Sequence, residues 1–157
     1  SGERPTETAL EEALHAVMLS LAKQVARDGE GATKLIEVTV EGSPDPVRIA
    51  RSIADSPLVK TAMFGCDPNW GRIMMAAGKA GVDFDPAVAR LTVRAGEGEF
   101  VLFENGGPAA FDAKEVSTAL KADTVVIDLL LGPGARETVW TCDLGYGYVR
   151  INAEYHT

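Results

Sequence analysis

No Cys-x-x-Cys pair, no HExxH and no GxSxG occurs in this chain, and its two histidines, His15 and His156, stand almost a chain length apart. Those absences remove the usual signatures of a zinc site and of a serine-hydrolase triad. Cysteine is scarce as well. Cys66 and Cys142 have no near partner in sequence, so they are expected as free thiols of a reducing, cytoplasmic setting, with a disulfide or a metal site less in keeping. Positive charge is short: 15 Lys and Arg stand against 23 Asp and Glu, a net charge of −8 with no basic run. A phosphate-backbone binder draws its affinity from Lys and Arg, so nucleic acid is not expected as a partner. Long apolar runs are missing too. Thr124 to Leu131, broken by Asp128, is a buried strand by its length and falls far short of the roughly 20 residues that span a bilayer. The opening Ser1-Gly-Glu-Arg-Pro-Thr6 has neither a basic n-region nor an apolar core and does not read as a signal peptide. Its lack of an initiator Met fits trimming, a tag or cleavage upstream.

What is present is ordinary globular material: 157 residues, 46% hydrophobic and 24% charged, enough for one domain with a proper core. Thr6 or Thr8 can cap a first helix, with Glu7, Glu11 and Glu12 in its opening turns. Leu10, Leu14, Val17, Met18, Leu21, Ala22 and Val25 recur at helical spacing and predict one buried face. Gly29 can stop the helix. Residues 33–40 predict a strand, Glu41–Pro46 a turn, and Val47–Ala54 a second helix. Leu58–Phe64 is predicted as a further helical turn or two, and Asp67-Pro68 as the opening of another helix. Arg90–Arg94 and Glu99–Phe103 predict a hairpin around Gly96–Gly98. Ala113–Ala122 predicts a helix capped by Asp112, and Thr124–Leu131 and Glu137–Cys142 predict strands. Helices and strands alternate without repeat or linker, so the fold expected is a single α/β layered domain over residues 1–157, with a mixed sheet and flanking helices.

Three segments could carry chemistry. Gly29-Glu-Gly-Ala-Thr-Lys34 follows a helix instead of preceding one and lacks the Gly-Lys-Ser/Thr ending, so a phosphate loop is excluded by order and by motif. Its glycines terminate a helix, or else admit a ligand closely while Glu30 meets a cation. Asp67-Pro-Asn-Trp-Gly-Arg72 reads as a helix start with a core tryptophan. Arg72 could clamp a carboxylate or pair with a structural acid. The last residues, Asn152-Ala-Glu-Tyr-His-Thr157, follow the apolar run Tyr146, Tyr148, Val149 and Ile151. They read as a docked final strand with solvated polar groups, or as a tail packed into the body that presents those groups to a site.

Four segments in order, Asp28–Lys34, Ser56–Ala62, Gly65–Arg72 and Tyr148–Thr157, together resemble the glutamate N-acetyltransferase family, the ornithine acetyltransferase of cyclic arginine biosynthesis. The resemblance runs nearly the whole chain. It implies an N-terminal-nucleophile-type enzyme, made as a precursor that cleaves itself before a threonine, which then carries acetyl from N-acetylornithine to glutamate by a ping-pong route. An oxyanion hole in an α chain would stabilise the tetrahedral intermediates. By the same resemblance Glu30, Asn152 and Thr157 match substrate-binding positions. No cofactor is implied, although acetyl-CoA serves some relatives as donor. No residue here matches the nucleophilic threonine, whose place in the family is upstream of Ser1. The chain therefore resembles the C-terminal part of a β chain. Its expected partners are an α chain and the remaining N-terminal part of the β chain, in a multimer of αβ units, and the chain alone would be inactive. The resemblance assigns no role to Lys34, Trp70 or Arg72, which read as structural. Two other readings stay open: a noncatalytic binding or regulatory module on the same scaffold, and a related N-terminal-nucleophile aminopeptidase.

Overall fold

The computed structural model of the chain describes residues 6–154. In order they form α1 (Glu7–Arg27), β1 (Leu35–Glu41), α2 (Pro46–Ala54), α3 (Pro57–Phe64), α4 (Trp70–Gly78), β2 (Arg90–Ala95), β3 (Gly98–Glu104), β4 (Gly107–Pro108), α5 (Ala113–Ala119), β5 (Thr124–Leu130), β6 (Arg136–Cys142) and α6 (Tyr146–Glu154). The strands make one mixed sheet in the order β4-β3-β2-β5-β1-β6. Only β1 and β5 run parallel; the other pairings are antiparallel. A mixed sheet with flanking helices is what the alternating pattern predicted.

Strand periodicity sorts the sheet into two unlike faces. Ile36, Val38 and Val40 of β1, Val125, Ile127 and Leu129 of β5, and Leu91 and Val93 of β2 are buried in one cluster. The inward residues of four helices complete it, among them Ile49, Ile53, Met63, Ile73 and Val116. A register shift in the β2–β3 pair between Leu91 and Thr92 lets the neighbours Leu102 and Phe103 both turn inward, which strict alternation forbids. The opposite face is polar. There Arg136 meets Glu41 at 2.7 Å and Asp128 at 2.6 Å, and Arg94 reaches the same Asp128 at 3.2 Å. Hydrogen bonds to Glu41 and then Asp128 hold the Arg136 guanidinium above its ordinary pKa.

Two expectations fail here. α1 forms and is capped by Thr6, whose Oγ1 accepts the Ala9 N–H at 3.2 Å, but none of its residues is buried. It touches the sheet by its other side, where Lys23 meets Glu37 at 2.7 Å. Periodicity reports that a face needs cover; it does not say that the same chain supplies it. The other failure is local. α4 is capped by Asn69, whose Oδ1 accepts the Arg72 N–H at 3.2 Å, and not by Asp67. Asp67 accepts from Asn69 Nδ2 at 3.0 Å instead, so Pro68 precedes the helix rather than opening it. The short β4 was not foreseen, because two residues carry no period.

Ile127 sits fully buried on central β5. Ile127→Ala removes its side chain from a cluster that relaxes only partly, and a loss of about 2–5 kcal/mol is expected. Urea unfolding of the intact protein checks this, and a midpoint unchanged from wild type would contradict the central position given to β5.

Candidate functional site

The loop between α1 and β1 starts as a helix end does. The Asp28 N–H returns to Gln24 O, and the Ala32 N–H closes a turn on Gly29 O at 3.0 Å. Its glycines answer to close approach, but the approaching groups belong to the protein and not to a ligand. A Cβ on Gly29 would collide with Cys142 Sγ, and one on Gly31 would lie 2.5 Å from Gly147 C and Tyr148 N. Gly31 also has φ +68°, which an L side chain rarely adopts. Two backbones thus touch at Gly31 and Gly147, and α6 is set directly against this loop.

The position of α6 is fixed from below by Asp143, 2% exposed. Its carboxylate accepts the Thr33 N–H at 2.7 Å, the Lys34 N–H at 2.9 Å and the Thr33 hydroxyl. Leu144 N–H donates to Lys60 O at 3.3 Å, and Gly145 lies flat under Phe64, where any Cβ would collide with the ring. Phe64 in turn meets Tyr146 edge-on, ring centroids 5.6 Å apart. Lys34 completes the frame. It is buried, and its Nζ donates to Met63 O at 2.7 Å, to Phe64 O at 3.5 Å and to Cys66 Sγ at 3.2 Å, which satisfies carbonyls at the negative end of α3. Sequence reasoning missed Asp143 altogether. No local pattern marks an acid whose partner Thr33 lies 110 residues earlier.

The end of the chain is a helix through Glu154, not a strand, and none of its residues is buried. Its described part, through Glu154, rests on the surface of this chain. It nevertheless brings Asn152 to Glu30. Asn152 Nδ2 donates to Glu30 Oε2 at 2.7 Å and to Tyr148 O at 3.0 Å, across 122 residues of sequence in the first case. Both amide protons are used in this way, an assignment that rests on which way the amide is turned. Asn152 Oδ1 and Glu30 Oε1 then accept nothing among the described residues. Two exposed residues joined in this way, each with an unused acceptor oxygen, suit a primary ammonium. Thr157, the third residue singled out from sequence, lies outside the described residues.

The remaining candidates belong to the scaffold. Arg72 Nη1 donates to Leu58 O at 3.1 Å and Thr61 Oγ1 at 3.4 Å, and Trp70 packs on Phe103 with centroids 5.4 Å apart. Cys66 and Cys142 are free thiols. No group of three metal-ligating side chains occurs among the described residues, and none of their helices is long and apolar enough to cross a membrane.

Comparison with known proteins gives one direction. The model of the ArgJ family matches residues 1–157. The chain is 54% identical over 158 residues to the arginine biosynthesis bifunctional protein ArgJ of Gloeobacter violaceus, covering 98% of itself and 38% of that protein. It is 50% identical to the glutamate N-acetyltransferase of Methanopyrus kandleri, covering 99% of itself and 41% of that relative. The crystal structure of the arginine biosynthesis bifunctional protein from Bacillus halodurans superposes with a TM-score of 0.88 at 41% identity, over 99% of this chain and 73% of that one. The chain thus spans about two fifths of the length of these curated relatives.

Two substitutions test the frame. Asp143→Ala leaves the Thr33 and Lys34 amides without their acceptor and is expected to cost roughly 2–3 kcal/mol, read by urea unfolding. Gly31→Ala forces a Cβ into the α6 backbone. Amide exchange over residues 146–152 should then accelerate well beyond the change elsewhere; uniform or absent acceleration would mean that Gly31 does not seat α6.

Proposed function

The chain belongs to the ArgJ family, and on that premise we propose that it supplies the substrate-ammonium end of an acetyltransferase pocket moving acetyl from N-acetylornithine to glutamate. The contact between Glu30 and Asn152 carries the reading. By the resemblance of their two segments these residues match substrate-binding positions of the family, and in support they stand hydrogen-bonded across 122 residues of sequence with an acceptor oxygen free on each. A side-chain ammonium would sit between Glu30 Oε1 and Asn152 Oδ1, and such charge-assisted bonds are the strong ones. Thr157 would add its hydroxyl, and the carboxylate at that residue a further acceptor.

The chemistry itself belongs to the rest of the family polypeptide in this proposal. A threonine hydroxyl adds to the acetyl carbonyl, the tetrahedral intermediate expels ornithine as its amine takes a proton, and an acetyl ester remains. The glutamate amine then adds to that ester and the threonine hydroxyl is restored. An oxyanion hole on the α chain would stabilise both tetrahedral species. What this chain does is bind and orient, holding the far end of the donor so that its amide carbonyl meets the nucleophile. No cofactor enters the proposal, and acetyl-CoA is at most an alternative donor. The partners proposed are the α chain and the N-terminal part of the β chain, in a cytoplasmic assembly of αβ units.

Glu30→Gln in the full-length, self-cleaved protein keeps the side-chain size and removes the charge. Transfer from N-acetylornithine to glutamate should fall roughly 10- to 100-fold in kcat/KM, the worth of one charged hydrogen bond. Unchanged kinetics would take Glu30 out of the pocket. Removal of Thr157 should also slow turnover, and full activity after that deletion would make the tail a solvated end.

A further inference from the structure

Between the start of β1 and the end of α3, an amine and a thiol stand in contact that the acetyl-transfer reading leaves unused. Lys34, 6% exposed, brings its Nζ to 3.2 Å from Cys66 Sγ. The same nitrogen donates to Met63 O at 2.7 Å and to Phe64 O at 3.5 Å. Lys34 joins none of the ion pairs among the described residues. Its hydrogen-bond partners are therefore two neutral carbonyls and one sulfur. An ammonium at that depth is costly to bury without a partner of opposite charge. Of those three groups only the thiol can become an anion, and the thiolate is the form that peroxides oxidise.

The backbone fixes where that thiol stands. Cys66 follows α3 in a two-bond cap, its own N–H donating to Met63 O at 3.2 Å and the Asp67 N–H to Ala62 O at 2.9 Å. This pattern puts the residue after the helix in the left-handed region, and Cys66 has φ +53°. Met63 O thus receives both the Cys66 amide and Lys34 Nζ, which holds the two residues to one point. Sγ lies 3.5 Å from Leu120 O and 3.9 Å from Phe64 O, either of which can take the S–H proton. Lys34 Nζ is nearer to the sulfur than both. The thiol itself is half-buried between the exposed Gly65 and Asp67, a position open to a small oxidant.

We propose that Cys66 and Lys34 form an oxidative modification site, at which a peroxide converts the thiol to a sulfenic acid and Lys34 Nζ captures that sulfur as a sulfenamide. In the first step the peroxide O–O bond breaks and an S–O bond forms. Sulfur is oxidised by two electrons, and hydrogen peroxide is reduced to water. In the second step Nζ attacks the sulfur, the S–O bond breaks and an N–S bond forms. The ammonium gives up two protons, one to the departing water and one to solvent. The net change is the loss of two hydrogens. The flexible lysine stem lets the nitrogen close on the sulfur once it releases Met63 O. The link joins positions 32 residues apart, ties β1 covalently to the end of α3, and is undone by a thiol reductant. The inference is independent of the acetyl-transfer reading, since it uses neither Glu30 nor Asn152.

Peptide mapping of the full-length protein after treatment with hydrogen peroxide tests it. A pair of peptides joined through Lys34 and Cys66, lighter than their sum by two hydrogens, should appear and should be lost on addition of dithiothreitol. Cys66 found only as sulfinic or sulfonic acid, a disulfide between Cys66 and Cys142, or a Cys66 thiol left intact would each overturn the proposal. Lys34→Met keeps an unbranched side chain and removes the amine. In that variant Cys66 should pass on to sulfinic acid and resist dithiothreitol. Recovery of its thiol to the wild-type extent would also overturn the proposal. If Lys34→Met does not fold, the wild-type map decides by itself.

Discussion

A buried carboxylate holds the two ends of this chain together. Asp143 follows the last strand and accepts two backbone N–H groups at the start of the first strand, together with the Thr33 hydroxyl. Backbone donors at that depth must be satisfied, and an anion that takes several at once is held far more firmly than a neutral acceptor. The constraint propagates in both directions. On one side it orders the Asp28–Lys34 loop, and through Lys34 it ties β1 to the end of α3. On the other it sets the departure of the chain toward Gly145 and α6. The meeting of Gly31 with Gly147, and hence of Glu30 with Asn152, depends on that anchorage.

Hydrogen-bond accounting then separates scaffold from site. Lys34, Arg72 and Asp143 carry charges that look functional in a sequence, yet protein groups occupy them: carbonyls and a sulfur for Lys34, α3 oxygens for Arg72, amides for Asp143. Glu30 and Asn152 bond each other and still keep one oxygen each for something else. Solvent reaches both residues. Those unused acceptors are what the ammonium-binding role proposed for the pair would draw on. The mixed sheet contributes rigidity here, because the loop and the helix both leave from its β1–β6 edge.

Much of this was legible in the residues, and the exceptions share a cause. The alternation in β1 and β5, the hairpin at Gly96–Gly98 and the caps at Asp112 and Thr6 are local patterns, and they appear where local patterns predict them. The resemblance carried by the Asp28–Lys34 and Tyr148–Thr157 segments was legible too, since short motifs in fixed order survive without any knowledge of packing. What stayed hidden was long-range. Asp143 has no neighbour in sequence that explains it. The cap of α4 fell to Asn69, which accepts the Arg72 amide, while Asp67 accepts from the Asn69 side chain. Alternation could not announce that Leu102 and Phe103 both point inward. The apolar tail and the α1 stripe were each read as buried, because periodicity measures a demand for cover and is silent on who meets it. Tyr146–Glu154 became a helix resting on the surface for the same reason.

The strand order also bears on how such a chain is made. β1 lies between β5 and β6, so Leu35 finds its neighbours at Thr124 and Cys142, near the other end of the sequence. During synthesis the apolar side of β1 emerges before its partners and waits, with α2 to α4 beside it, while β2 and β3 can already close their hairpin. The parallel pair that sits in the middle of the sheet must be the late event, and loops of that length close slowly. A ribosome-bound intermediate with Ile36, Val38 and Val40 unpaired is the form of this protein most exposed to aggregation. Chaperone demand should therefore peak before β5 leaves the exit tunnel, not after release.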